Sequence, residues 1–153
     1  MALDRWRSLL PALWLGWMLA VAALATPAPF AALTRGEAGR VVAIVLAGEA
    51  YSALALGVAV VLMERLSARR ASGRSAASVF SGNLVLALGA LFCTVFGYFA
   101  LQPMMTAARA GQGAFGFGTL HAASMVFFGL KIACVAALAW RCSRGAVSPS
   151  PSS

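Results

Sequence analysis

Apolar residues are concentrated in four long runs separated by short polar stretches. The runs cover about residues 8–26, 41–63, 79–101 and 120–140. An α-helix rises about 1.5 Å per residue, so a run of about 20 residues crosses a hydrocarbon core of about 30 Å. A soluble chain of this length would interleave polar faces with the apolar ones. The pattern therefore predicts an all-α integral membrane protein with four transmembrane helices.

Proline and glycine predict where two of these spans end. Pro27 and Pro29 follow the first run, and Pro103 follows the third run directly after Gln102. Proline lacks a backbone N–H and clashes within a helix, so we expect both spans to stop at these positions. The stretch from there to Gly118 is rich in glycine, which is typical of a turn.

Two segments have the composition of exposed chain. The stretch from Glu64 to Ser78 is rich in Arg, Ser, Gly and Ala and has no hydrophobic period, which predicts an exposed linker. Residues 146–153 are mostly Ser and Pro and are predicted to be disordered. Residues 1–145 then form one domain.

The first run also has features of a cleavable signal peptide. Arg5 and Arg7 precede the apolar segment, and Ala23 and Ala25 form a small-residue cleavage pattern. The apolar run is longer than the compact core of most signals, so we predict a retained span. Cleavage is the alternative.

Composition and charge agree with a membrane location. The 153 residues are 61% hydrophobic and 10% charged, with a mean hydropathy of +0.86. The net charge of +8 would suggest nucleic acid in a soluble protein, but the basic residues here lie mainly beside apolar runs. The bilayer is therefore the predicted partner, with no role for nucleic acid.

The distribution of Lys and Arg predicts the orientation. The N-terminus, second loop and C-terminal tail together hold eight basic residues, and the first and third loops hold three. Under the positive-inside rule both termini are cytoplasmic. A composition rich in Arg and Ala suggests a bacterium, and hence the inner membrane, as the location.

Short loops between four antiparallel helices predict an up-down bundle. In lipid such bundles pack through small residues. The candidates are Gly48, Gly57, Gly89, Gly97, Gly129, Ala133 and Ala137. The last three follow a small-xxx-small pattern, which suits packing within the bundle or contact with a second copy or another membrane protein.

Glu49 and Lys131 are the charges within the runs. Intramembrane charges usually face the bundle interior and pair with one another. Their positions place them roughly 12 Å and 16 Å below the outer boundary, within reach of each other. Thr94 and Tyr98 form a polar stripe at the same level. We therefore predict a buried polar cluster of these four residues, which either fixes helix register or forms a proton, ion or substrate path.

A second set of residues suggests a metal site. His121 begins the fourth run, and Met104 and Met105 follow the third. Thioether and imidazole ligands together suit copper. The alternative is a helix-start histidine beside ordinary interfacial methionines. No nucleophile and base pair, phosphate loop or acidic dyad occurs in the sequence, which predicts neither an enzyme nor a cofactor.

Two stretches of the chain resemble the transmembrane protein 205-like family of small four-helix membrane proteins. The first runs from Leu13 to Trp17 and on to Pro29-Phe30 and Glu37–Arg40. The second runs from Pro103 to Arg109 and continues with Phe117 and Leu120–Ser124.

The resemblance implies a fold rather than a reaction. Bacterial members have no assigned biochemistry, and the eukaryotic relative is linked only broadly to drug resistance and secretion. In matching the family pattern, Pro103, Arg109, His121 and Ser124 lie at the outer ends of the third and fourth spans. We expect them to hold the connecting loop against the bundle. The expected function is a small transporter or permeation protein, with copper handling or assembly with another membrane protein as alternatives.

Overall fold

The computed structural model describes residues 2–72 and 81–145, and this part of the chain is mainly helical. Its elements are α1 (Ala2–Ala20), a π-helical segment (Val21–Ala25), α2 (Ala28–Ala32), α3 (Arg35–Ser72), α4 (Gly82–Thr94), a second π-helical segment (Val95–Ala100), α5 (Leu101–Arg109) and α6 (Phe117–Gly145).

Four helical stretches are long and apolar enough to cross a membrane. They are span 1 (Arg5–Ala32), span 2 (Arg35–Arg69), span 3 (Gly82–Arg109) and span 4 (Phe117–Arg144). Spans 1 and 3 each combine two α-helices with a π-helical segment, whereas spans 2 and 4 are continuous α-helix. The prediction of an all-helical chain with four helices long and apolar enough to cross a membrane is confirmed, which indicates a multi-pass membrane protein.

Polar contacts show that neighbouring spans run in opposite directions. Arg7, at the start of span 1, pairs with Glu64 toward the end of span 2. Asn83, at the start of span 3, accepts a hydrogen bond from Arg141 near the end of span 4. We call this the near end of the bundle. The far end holds the connections between spans 1 and 2 and between spans 3 and 4.

The four spans form a ring. Spans 1 and 3 each pack against spans 2 and 4. Within the described residues, the backbones of spans 2 and 4 do not approach each other closely, so these two spans lie across the diagonal of the bundle. Trp14, Met18, Val135 and Leu138 are fully buried and fill much of the centre.

The small residues divide into two groups. A Cβ added to Gly57 would lie 2.5 Å from Leu91 Cδ2, and one added to Gly97 would lie 2.6 Å from Phe127 Cβ. These glycines therefore permit close helix packing, as predicted. A Cβ on Gly129 would meet nothing within 4 Å.

The other small residues follow the same division. Gly89 packs near Cys134, whose Sγ would lie 3.5 Å from an added Cβ. Gly48 has open space around it like Gly129, and Ala133 and Ala137 are exposed on the outer face of span 4. Four of the seven predicted packing residues thus face outward rather than into the bundle.

The predicted helix ends at the prolines are wrong. Span 1 continues past Pro27 and Pro29 through α2, and Pro103 lies inside α5. Each proline region follows a π-helical segment, whose wider turn accommodates the ring and the missing N–H. At the first of these segments, both the backbone N–H and the hydroxyl of Thr26 donate to the carbonyl of Val21, at 2.9 Å and 2.8 Å. Hydrogen bonds are thereby kept inside the helix, as a bilayer requires.

The predicted linker is also partly wrong. α3 continues to Ser72, because Ala, Leu and Arg in this stretch are good helix formers. Its first turn is stabilised by the Glu37 carboxylate, which accepts from the backbone N–H of Thr34 at 3.2 Å, one of the two contacts of a capping box. The rest of the linker, the predicted start of span 3 at residue 79 and the tail at 146–153 lie outside the described residues.

Candidate functional site

Glu49 and Lys131 form a closed ion pair inside the bundle. The Lys131 ammonium donates to both carboxylate oxygens of Glu49, at 2.7 Å each. Both side chains are only 3% exposed. The ammonium also lies 4.6 Å from the centre of the Phe128 ring, which adds a cation–π contact. The pair is neutral as a unit, and its strongest hydrogen-bonding groups are satisfied.

The pair connects two spans whose backbones, within the described residues, do not approach each other closely. Glu49 is in span 2 and Lys131 is in span 4, which lie diagonally opposite in the ring. Each residue lies about 20 Å along its helix from the far end, so the two Cα atoms are at a similar depth. Two long side chains are needed to cross this distance. An unpaired charge at this depth would be strongly unfavourable, so each residue requires the other.

Thr94 and Tyr98 do not join the pair, contrary to the predicted four-residue cluster. Thr94 is buried, but its hydroxyl donates to the carbonyl of Ala90 in its own helix at 2.9 Å. The Tyr98 ring is partly exposed and makes an edge contact with Phe99, with ring centres 5.1 Å apart. Among the described residues, neither has a hydrogen bond to Glu49 or Lys131. The π-helical segment at Val95–Ala100 breaks the i, i+4 stripe on which the prediction depended.

A residue that the sequence analysis missed ties span 1 to the Glu49 turn. The Ser52 hydroxyl donates to the Glu49 carbonyl at 2.9 Å and accepts from the Trp17 indole nitrogen at 3.0 Å. Span 1 is therefore attached to the turn that carries the buried carboxylate. The available signal was a serine three residues after Glu49 in an apolar run.

A second ionic group lies at the near end. Glu64 is only 5% exposed, and Arg7 donates to its two oxygens from Nε and Nη2, at 3.0 Å each. The Ser81 hydroxyl donates to Glu64 at 3.5 Å and accepts from the backbone N–H of Leu84 at 3.2 Å, which caps α4. Glu64 was missed because its surroundings suggested an exposed linker.

Side chains of spans 3 and 4 also contact each other at the far end. The Arg109 guanidinium lies 4.5 Å from the centre of the Phe117 ring. The Phe117 ring stacks on the His121 ring at 5.7 Å, with 11° between their planes. These three residues form a stack that joins the end of α5 to the start of α6, which we call the far-end clamp.

The other two family-pattern residues contribute differently. The Ser124 hydroxyl donates to the carbonyl of Gly97 at 3.0 Å, a second link between spans 3 and 4. Pro103 is exposed in the first turns of α5, where it follows the π-helical segment. It shapes the helix that carries Arg109 and has no side-chain partner among the described residues.

The structure gives no geometric support for the predicted copper site. The His121 ring is exposed and stacks on Phe117, Met104 is 41% exposed, and Met105 is partly exposed. Residues 2–72 and 81–145 contain no group of three or more His, Cys, Asp or Glu side chains that could hold a metal. The metal site therefore remains a prediction from residue types alone.

Comparison with known proteins gives a family but no activity. No curated protein matches the chain, and neither does any solved structure. Residues 9–114, more than half of the chain, match the family model described as a domain of unknown function, DUF4149. The matched region includes Glu49 and ends before Lys131. The chain therefore belongs to the DUF4149 family.

Proposed function

We propose that the protein is a small transporter in which the Glu49 carboxylate binds alternately the Lys131 ammonium and a proton or small cation. The observation that carries this proposal is the buried pair itself, 2.7 Å from Nζ to each carboxylate oxygen at the middle of the bundle. Ionisable groups at this depth are expensive to keep in a membrane and are typically found on ion or proton pathways. No enzyme activity is part of the proposal.

The chemistry follows from the neutrality of the pair. When a proton or cation neutralises Glu49, the Lys131 ammonium, which is 3% exposed in the closed pair, loses its counter-charge. In this proposal spans 2 and 4 then separate, so that water reaches the ammonium and replaces the carboxylate as its partner. When the carboxylate is free again, the ammonium returns and the bundle closes. One positive charge is thus bound and released in each cycle, and the chemistry favours a proton or small cation over an anion.

The shape of the spans supports such movement. Spans 2 and 4 carry the pair and are continuous helices, whereas spans 1 and 3 each contain a π-helical segment followed by proline. Such segments are common at functional sites and at helix bends. In this proposal the far halves of spans 1 and 3 bend while the two continuous spans separate.

The test is proton flux in liposomes containing the purified protein and a pH-sensitive dye. Glu49→Gln keeps the shape of the side chain but cannot carry a charge. We expect its proton flux to fall to the level of empty liposomes. Glu64→Gln is the matched control, since it alters a buried carboxylate at the near end only, and should retain flux. Equal flux from the wild type and the Glu49 variant would contradict the proposal.

A double variant separates transport from structural support. Glu49→Leu combined with Lys131→Met replaces the ion pair with apolar groups of similar size, which often preserves stability. A folded double variant without flux supports the transport role. A folded double variant with wild-type flux would mean that the pair only fixes helix register.

The proposed location is the bacterial inner membrane, with both termini in the cytoplasm. The support is the excess of Arg at the near end, which the positive-inside rule assigns to the cytoplasmic side. Membership of the transmembrane protein 205-like family is likewise proposed. Its support is that Arg109 and His121, two residues of the family pattern, lie in the far-end clamp.

Assembly with a second copy or another membrane protein is a second candidate function. The specific observation is that Gly129, Ala133 and Ala137 are all exposed on one outward face of span 4. Small residues at this spacing allow close helix contact in lipid. Cross-linking in membranes should give a dimer or a mixed complex that Ala133→Leu abolishes. A protein that remains monomeric and without a cross-linked partner would exclude this role.

A further inference from the structure

An apolar groove lies between spans 1 and 2 in the far half of the bundle. Its volume is about 570 Å³, and its walls include Val21 and Leu24 from span 1 and Ile44 and Gly48 from span 2. Ile44 is 74% exposed and Leu24 is 69% exposed, so the groove opens away from the bundle core. In a membrane the surroundings at this position are acyl chains.

The span 1 wall of the groove is slightly shorter than one lipid leaflet. On span 1 its lining extends from Trp17 to Ala25, which is about 12 Å along a helix. Half of a hydrocarbon core is about 15 Å. The Trp17 indole is held by Ser52 at 3.0 Å and forms the inner limit of the groove. An acyl chain entering from the far end would therefore reach the level of Trp17.

Local structure explains why this groove is not filled by protein. The span 1 wall includes the π-helical segment Val21–Ala25, whose wider turn spaces its side chains differently from those of an α-helix. On span 2, Gly48 has no side chain, and an added Cβ would meet nothing within 4 Å. A larger residue at position 48 would project into the groove without colliding with the bundle.

An exposed arginine lies one helical turn beyond the groove lining, toward the far end of α3. Arg40 precedes Ile44 by four residues and Gly48 by eight, so all three share one face of α3. Arg40 is exposed, and in the described part of the chain it has no hydrogen bond or ion pair. The nearby carboxylate of Glu37 is bound to Thr34, with 2.6 Å to the hydroxyl oxygen.

We infer that this groove binds one acyl chain of an anionic phospholipid, with the lipid phosphate at Arg40. The apolar walls select a hydrocarbon chain, and the arginine selects a negatively charged headgroup within its reach. The bound lipid would stabilise the far halves of spans 1 and 2 against each other. The site is separate from the Glu49 pair, which faces the interior of the bundle.

Native mass spectrometry of the full-length protein tests this inference. The protein is purified in mild detergent and mixed with phosphatidylglycerol or phosphatidylcholine of the same chain length. We expect one phosphatidylglycerol to remain bound in preference to phosphatidylcholine. Arg40→Gln should lower this preference about fivefold, equivalent to about 1 kcal/mol. Arg35→Gln, which removes another exposed arginine of the same helix, should lower it less.

Gly48→Leu should fill the groove and abolish retention of the lipid. Gly129→Leu is the matched control, because Gly129 also has open space around it but lies on span 4. Equal lipid retention by these two variants would overturn the inference. Equal binding of the two lipids to the wild type would also overturn it. A third contradicting result would be a wild-type protein that binds no lipid but forms a dimer, with the dimer lost in Gly48→Leu.

A second measurement covers the case in which Gly48→Leu does not fold. Wild-type protein is placed in vesicles with phosphatidylglycerol brominated on its acyl chains, which quenches nearby tryptophan. The chain has four tryptophans, so the contribution of Trp17 is the difference in quenching between the wild type and Trp17→Phe. Trp17 lines the groove, and this difference should be larger with brominated phosphatidylglycerol than with brominated phosphatidylcholine at the same mole fraction. Identical quenching by the two lipids would contradict binding of an anionic lipid.

Discussion

Removing one partner of the buried ion pair should destabilise the protein more than removing both. Lys131→Met leaves the Glu49 carboxylate, which is 3% exposed, without a counter-charge. Breaking a buried pair in this way costs about 3–5 kcal/mol. The cost of an unpaired charge at the centre of a membrane helix, about 3 kcal/mol on insertion scales, agrees with this range. Since protein stability is typically about 5–15 kcal/mol, the loss should be large.

The double variant Glu49→Leu with Lys131→Met should recover most of this loss. It buries no charge, and such replacements are often neutral or stabilising. We expect its unfolding free energy to lie within about 1 kcal/mol of wild type or above it. Reversible unfolding in mixed detergent micelles, followed by circular dichroism, gives both values.

Arg7→Met is a useful comparison for this measurement. The Arg7 side chain is 30% exposed, so water reaches Glu64 when the guanidinium is removed. Its destabilisation should therefore be smaller than that of Lys131→Met. A loss below about 1 kcal/mol for Lys131→Met, or a double variant as unstable as either single variant, would refute the reasoning about burial.

Four other substitutions test the helix packing, the cap of α4 and the far-end clamp. Gly97→Ala should destabilise by about 1–3 kcal/mol, because its Cβ would lie 2.6 Å from a side chain of span 4, whereas Gly129→Ala should have almost no effect. Ser81→Ala should cost about 1 kcal/mol through loss of the α4 cap, measured by the same unfolding assay. Arg109→Ala removes the contact with Phe117, so limited proteolysis should cut the connection between spans 3 and 4 faster. An unchanged cleavage rate would mean that this contact does not hold the loop.

The candidate site was partly predictable from residue types. Glu49 and Lys131 are charges within apolar runs, and the cost of burying an unpaired charge makes a contact between them the expected arrangement. Thr94 was placed in the cluster on regular helical spacing, but its hydroxyl bonds to its own helix at 2.9 Å. Polar residues that can bond locally need no distant partner, so periodicity does not determine their contacts.

Glu64 shows the opposite error. It lies among Arg, Ser and Ala and suggested exposed chain, yet it is 5% exposed with Arg7 and Ser81 as partners. Its burial depends on residues far away in the sequence, which meet only when spans 1, 2 and 3 pack together. The composition of the surrounding sequence therefore does not predict these contacts.

The sequence by itself determined the number of spans, the helical class and the charges that must be paired, since the bilayer imposes these through length and hydropathy. Only the tertiary structure decided how the prolines and small residues are used. Pro27 and Pro103 lie within spans because π-helical segments keep the backbone hydrogen bonds in the helix. Gly97 packs against span 4 while Gly129 faces outward. Which face of a helix is buried depends on the neighbouring helices, so it is determined only when the bundle packs.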